Sequence, residues 1–305
     1  MLDMTRLVFM GSPAFAVPSL RAIASSVVGV VTQPDRPAGR GNALTPPPVK
    51  QATLELDLPV VQPERLPEAL EQLRAWKPDV IVVVAFGKLL TQEVLDLPLL
   101  GCLNLHASLL PQYRGAAPIP AAILAGETKT GVTLMKLDAG LDTGPMLAQR
   151  TYVMNPVETA SQVAKGLSVV GAELLQERLP DYLAGKLELV PQDDRLASYA
   201  PQLKKEDGLL RFSETAETLV RRVRAMTEWP GAFIHVNDEP LKVLRAHAQR
   251  DLTATPGQVI EVDDQPAIGA SEGVLVLDEV QPAGRKPMAA ASFLNGHPTF
   301  VGQRL

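Results

Sequence analysis

The sequence predicts an α/β chain built on a doubly wound parallel sheet and followed by a smaller β-rich unit, and three observations carry that prediction. Short β-branched or apolar runs in the first third of the chain end at turn or polar residues. Segments with helical spacing of apolar residues lie between them. Beyond residue 230 the pattern changes to short strands punctuated by turn clusters.

The runs RLVFMG (6–11), VVGVVT (27–32), DVIVVVA (79–85) and GCLNLH (101–106) are continuous and apolar, the signature of strands buried on both faces. FAVPSLRAIASS (15–26), PVKQATLEL (48–56) and LPEALEQLRAW (66–76) supply the helices between them. Asn155 and Pro156 with Glu158 predict the start of a longer helix, as N-cap, first-turn proline and capping-box acid. Ala160, Val163, Leu167, Val170 and Leu174 then recur on one face, Pro180 predicts a break or kink, and Gly185 a stop. The polar, weakly periodic stretch from residue 186 places a domain boundary. AETLVRRVRAM (216–226) reads as one more helix. AFIHV (232–236), LKVLRA (241–246), GQVIEV (257–262) and GVLVLDEV (273–280), separated by NDEP, DDQP and QPAG, read as the strands of a small β-barrel. The expected divisions are 1–185, a linker at 186–206, and 207–305.

With 46% hydrophobic and 21% charged residues among 305, the chain has ordinary globular composition and enough length for two domains. A single cysteine excludes an internal disulfide framework and any multi-cysteine zinc cage, and Cys102, inside an apolar run, reads as a core residue. No basic segment followed by a long apolar stretch opens the chain and no window holds 18 uninterrupted apolar residues, so neither signal peptide nor membrane span is expected and the cytoplasm is the predicted location. A net charge of -5 argues against broad nonspecific affinity for nucleic acid, so any such role must rest on a local surface.

The stretch NLHASLLPQYRG (104–115) carries the chemistry. Strand alternation puts Asn104, His106 and Ser108 on one side and Leu103, Leu105 and Ala107 on the other, at the carboxyl end of a strand, where open α/β sheets bind ligands. Asn and His together hold and protonate an oxyanion. A carboxylate partner for the histidine comes from KLDAGLDTGPM (136–146), as Asp142 between glycines or as Asp138; spacing alone leaves both open. Ser108 lies outside any Gly-x-Ser-x-Gly elbow, and GSPAFA after the first strand lacks Gly-x-Gly-x-x-Gly, so a hydrolytic triad and a dinucleotide site are both rejected. A calcium loop counted from Asp138 fails at Thr143 and Gln149, and no metal site is expected.

Residues 32–50, TQPDRPAGRGNALTPPPVK, form a second informative segment: prolines stiffen it, and Gly39 and Gly41 leave Arg40 prominent. Arg36 and Arg40 are suited to gripping phosphates. Lys204, Lys205, Arg221, Arg222 and Arg224 are either further phosphate contacts or a solvated face.

Taken together, VFMGSPAFAVPSL, TQPDRPAGRG, NLHASLLPQYRGAAPI, TGVTLMKLDAGLDTGPML, EWPGA and VQPAGRKPM resemble the methionyl-tRNA formyltransferase family over essentially the whole chain. The resemblance implies a Rossmann-like formyltransferase domain with a C-terminal β-barrel of oligonucleotide-binding type. It further implies 10-formyltetrahydrofolate as formyl donor, initiator Met-tRNA as acceptor, no metal and no obligate protein partner. The family's catalytic trio falls on Asn104, His106 and Asp142, its folate-contact segment on Ser108, Leu109, Leu110 and Pro111, and its tRNA-contacting loop on the segment with Arg36 and Arg40. Where many members continue that loop with two lysines, this chain has Asn42 and Ala43. Related folate-dependent enzymes that act on sugar amines share the trio and are the competing reading.

Overall fold

A computed structural model describes residues 5–38 and 43–305. The chain divides into two units, one of Met1–Pro118, Lys129–Val153 and Ala164–Ala200, the other of Ile119–Thr128, Met154–Val163 and Pro201–Leu305. Residues 186–200, expected as part of a linker, thus pack with the first unit.

The strands of the first unit are β1 (Leu7–Gly11), β2 (Val27–Val31), β3 (Arg36–Ala38), β4 (Ala43–Thr45), β5 (Val60–Val61), β6 (Val80–Val84), β7 (Cys102–His106), β8 (Lys129–Lys136) and β9 (Met146–Val153). Seven of them form one sheet in the order β5-β2-β1-β6-β7-β8-β9. The five on the β5 side run parallel, and every residue of β1 and β6 is buried, as continuous apolar runs require. Sequence reasoning missed β8 and β9, which extend the sheet antiparallel.

The crossover helices are α1 (Val17–Ile23), α2 (Pro48–Glu55) and α3 (Leu70–Trp76), close to the segments expected from periodicity. On one face of the sheet Val8, Met10, Ile81 and Val83 pack with Leu73 and Trp76. Gly29 of β2 makes room for that indole: a Cβ there would lie 2.3 Å from the Trp76 ring, so no larger residue fits without moving the helix. A short helix α4 (Gln92–Leu95) precedes β7, and α5 (Pro118–Ala125) follows it.

The long helix α6 spans Ala160–Leu183, beginning later than expected. Thr159 and Gln162 exchange bonds at its start, Thr159 N donating to Gln162 Oε1 at 2.9 Å, whereas Asn155 instead accepts from Val157 N in the turn before it. Pro180 lies inside α6, in its last turn, and does not end the helix before Leu183; Gly185 follows in left-handed backbone at φ 67° and ends the segment.

The second unit carries α7 (Ala216–Ala225) and the strands β10 (Phe233–Val236), β11 (Glu239–Gln249), β12 (Val259–Val262), β13 (Gln265–Gly269), β14 (Val274–Pro282) and β15 (Met288–Ala289), then α8 (Ala290–Gly296). These strands make an antiparallel curled sheet in the order β10-β11-β14-β13-β12, with β15 on β14. Register shifts near Arg245 bend the long β11–β14 ladder. No helix among the described residues is long and apolar enough to cross a membrane.

Candidate active site

β7 ends at His106, flanked by β6 and β8, so its last side chains emerge at the carboxyl edge of the parallel part of the sheet. The loop joining β8 to β9 comes back to that edge and carries both candidate aspartates. Asp138 turns its carboxylate into the loop, Oδ1 accepting from Gly140 N at 3.0 Å and Thr143 Oγ1 at 2.8 Å. Asp142 sits in left-handed backbone at φ 53°, uncommon for a residue with a side chain, and faces the strand end. Its Oδ1 is 3.4 Å from Asn104 Nδ2, and its Oδ2 is 3.5 Å from His106 Nδ1. The three side chains therefore converge, and the spacing left open between the aspartates is resolved in space.

His106 is 6% exposed, so its ring contacts are made nearly without water. Nε2 lies 2.9 Å from the carbonyl oxygen of Tyr113. A carbonyl only accepts, so Nε2 carries a proton in either charge state and Nδ1, on the Asp142 side, is the nitrogen that exchanges one. A backbone carbonyl, and not the carboxylate, thus sets the tautomer.

Residues 113–115 tie the site together. Tyr113, at φ 58°, supplies that carbonyl, and Gly115 N donates to Asp142 Oδ2 at 2.8 Å. Gly115 has φ 111°, and a Cβ there would lie 2.7 Å from Ala200 O, so glycine is required on both counts. Between them Arg114, only 2% exposed, donates from Nε to Gln192 Oε1 at 3.0 Å and from a guanidinium nitrogen to Asp194 Oδ1 at 2.8 Å. Burial pulls the Arg114 pKa down, but the hydrogen bonds to Asp194 and Tyr199 outweigh it and hold the group above its ordinary value. The Gln192 amide in turn donates to the carbonyl oxygens of Asp142 and Gly144, at 2.8 and 2.7 Å. Ser198 and Ala200 clamp the tripeptide from the same side, Arg114 N donating to Ser198 O at 2.8 Å and Ala200 N to Arg114 O at 2.7 Å.

Of the expected folate segment, Ser108 and Leu110 are buried, and Leu109 and Pro111 are partly exposed. Thr133, fully buried on β8, holds this turn: its hydroxyl donates to Ser108 O at 2.7 Å and accepts from Leu110 N at 3.1 Å. Gln149 of β9 donates to Leu110 O at 2.8 Å. Leu109 lies against Gly131, where a Cβ would come within 2.5 Å of it.

Arg36 is exposed and paired with Glu64 at 2.7 Å, on the two-stranded ribbon β3–β4; Arg40 lies outside the described residues. Of the basic set near the boundary, Lys204 and Lys205 are exposed, whereas Arg222 is held by Glu214 at 2.6 Å and Arg224 donates to Glu158 O at 3.2 Å. Sequence reasoning missed Tyr113, Gly115, Thr133 and Gln192. The first two act through their backbones, and Gln192 acts from a stretch without periodicity.

Residues 15–179 match the family described as Formyl transferase, and residues 202–298 match Formyl transferase, C-terminal domain. The methionyl-tRNA formyltransferase of Myxococcus xanthus is 48% identical over 304 residues, covering 98% of this chain and 97% of its own. That of Geobacter sulfurreducens is 46% identical over 306 residues, covering 98% and 96%. Among solved structures, the N-formyltransferase of Helicobacter canadensis, in complex with folinic acid and dTDP-3-aminofucose, superposes with a TM-score of 0.69 at 19% identity, over 92% of this chain and 100% of that one. The last likeness is one of fold alone. Identity approaching one residue in two, sustained across both units, goes further: this chain belongs to the methionyl-tRNA formyltransferase family.

Proposed function

We propose that this protein transfers the formyl group of 10-formyltetrahydrofolate to the α-amino group of methionine esterified to initiator tRNA. The observation that carries the chemistry is the convergence of Asn104, His106 and Asp142 around one point, with His106 Nε2 already committed to Tyr113 O. The amine nitrogen attacks the formyl carbon, and the carbonyl oxygen becomes an oxyanion in the tetrahedral intermediate. Asn104 Nδ2–H and a protonated His106 Nδ1 are the donors for that oxygen, a contribution of order 10²–10³ in rate for one donor. Asp142 takes the proton lost by the amine, directly or through water. The intermediate collapses by breaking the bond from carbon to the folate nitrogen, which receives a proton, giving N-formylmethionyl-tRNA and tetrahydrofolate.

The contacts of 3.4 and 3.5 Å around Asp142 fit this role: they are longer than ordinary hydrogen bonds, as catalytic contacts often are without substrate, and such bonds tighten in the complex. The turn 108–111 serves the donor through its backbone and Leu109. The ribbon with Arg36 and the following Arg40 serves the acceptor RNA, together with exposed Lys204 and Lys205. The functional division is a catalytic part at 1–185, a joining segment at 186–206 whose first residues, to Ala200, complete the catalytic part, and an RNA-binding part at 207–305, in a cytoplasmic protein.

The test is transfer of labelled formyl from the donor to initiator Met-tRNA, beside the same tRNA carrying another amino acid and beside free methionine. Label on Met-tRNA far above both controls supports the proposal; label on none of them refutes it. A sugar-amine acceptor is the second reading, favoured by the net charge of -5 and by the fold shared with a protein crystallised with an aminosugar nucleotide. A dTDP-aminosugar arm in the same assay separates the two.

A further inference from the structure

The loop that carries Asp142 is closed at its neck, where Lys136 N donates to Pro145 O at 2.9 Å, and internally, where the Asp138 carboxylate accepts from Gly140 and Thr143. Neither bond reaches the backbone of Asp142, which stands in left-handed conformation at φ 53°. A residue with a side chain keeps that conformation only where its surroundings fix it. Gln192 supplies such a tie from outside the loop: its amide nitrogen bridges Asp142 O and Gly144 O, on either side of Thr143. Gln192 is itself anchored, because two residues earlier Val190 pairs in both directions with Met146 at the start of β9, at 2.8 and 2.9 Å.

Resting on the proposed part of Asp142 in taking the amine proton, we infer that Gln192 is a positioning residue for Asp142 and that Arg114 sets its orientation. Polarity decides that orientation. An amide side chain can turn over and exchange its oxygen and nitrogen with little change of shape. The Arg114 guanidinium has donors and no acceptor, so Nε, 3.0 Å away, fixes the oxygen of Gln192 on its own side. The amide nitrogen must then face Asp142 and Gly144, whose carbonyls only accept. Arg114 is 2% exposed and its other arm is committed to Asp194, so water offers this fork no competing geometry. The chain of bonds ends at the reacting groups, since the same Asp142 faces Asn104 and His106 at 3.4 and 3.5 Å. A displacement of about 1 Å at such a site costs about 100-fold in rate.

Gln192→Met keeps the length of the side chain and removes all three bonds, whereas Gln192→Glu keeps the oxygen that Arg114 holds and sets a second acceptor against two carbonyls. With both substrates saturating, kcat falls about 100-fold in each variant while the donor KM is unchanged. Arg114→Lys keeps a charge for Asp194 but loses the fork, and lowers kcat in the wild-type background. In the Gln192→Met background the same change costs no more than about 2-fold, because the two residues act along one path. Unchanged kcat in both Gln192 variants, or fully additive losses in the double variant, overturns the inference. Amide hydrogen exchange followed by NMR reads the geometry without any acceptor. Gly115 N–H donates to Asp142 Oδ2, and the adjacent Arg114 N–H donates to Ser198 O. In Gln192→Met, exchange at Gly115 accelerates about 10-fold or more with Arg114 unchanged, which a general loosening of the segment would not do. Equal acceleration at both amides, or none at Gly115, refutes the positioning role. If the wild type formylates no tRNA, the proposed function falls, and the exchange measurement still decides the place of Gln192.

Discussion

Replacing Thr133 with valine keeps the side chain's shape and removes its hydroxyl, which is fully buried and makes three hydrogen bonds. Leu110 N loses its acceptor at 3.1 Å and Ser108 O loses its donor at 2.7 Å, both in a dry environment. Gln149 loses one partner at 3.0 Å but keeps Leu110 O at 2.8 Å. A buried polar group left unsatisfied costs about 1–3 kcal/mol, and two such groups give a loss of about 2–4 kcal/mol after partial relaxation. For a unit of this size that corresponds to a fall in Tm of roughly 5–15 °C. Urea denaturation and scanning calorimetry measure it, with Thr133→Ser as the control that retains the hydroxyl. Because the same hydroxyl shapes the 108–111 turn, the donor KM rises in Thr133→Val and not in Thr133→Ser. A valine variant within about 0.5 kcal/mol of wild type, with unaltered donor KM, would show that the turn is held by something else.

Three other perturbations probe different parts of the molecule. His106→Ala lowers turnover about 100- to 1000-fold with donor binding retained; near-normal turnover removes the imidazole from the chemistry. Arg40→Ala raises the KM for Met-tRNA and spares the donor, whereas a donor defect of equal size shows that the loop serves the folate. Burial pushes the Cys102 thiol from its usual 9.0 up to about 12, so it resists alkylation in the native protein and reacts on unfolding. The sign for stability follows: between pH 9.0 and about 12 the unfolded chain releases this proton and the native one does not, so Cys102 makes stability fall as pH rises through that window. A Cys102→Ala variant with the same alkaline slope as wild type would refute that assignment.

The parallel core was legible because strands buried on both faces must be apolar throughout, and β1 and β6 show that pattern without interruption. β8 and β9 were not, because β9 is partly solvated along most of its length and its residues blend into the loop that precedes it. The start of α6 was misplaced because Asn155 offers the same capping chemistry as Thr159, and only the folded chain shows that the helical amide of Gln162 donates to the Thr159 hydroxyl while Asn155 accepts from Val157 N in the turn before. At the site, Asn104 and His106 could be read because side-chain alternation is a property of sequence. The choice between Asp138 and Asp142 could not, since it depends on which carboxylate the loop consumes internally. The grip on His106 was invisible for a simpler reason: every residue has a carbonyl.

The packing of residues 190–200 against Tyr113, Arg114 and Gly115 has a consequence for how this molecule is divided. A piece ending at residue 185 contains every strand of the seven-stranded sheet and all three converging side chains. It does not contain Gln192, Ser198 or Ala200, through which the Asp142 loop and the Tyr113 segment that binds the His106 ring are held. The smallest part of the chain that keeps the fold and the smallest part that keeps the reacting groups aligned are different lengths, and drift in the spacer between domains is restrained by the chemistry next to it.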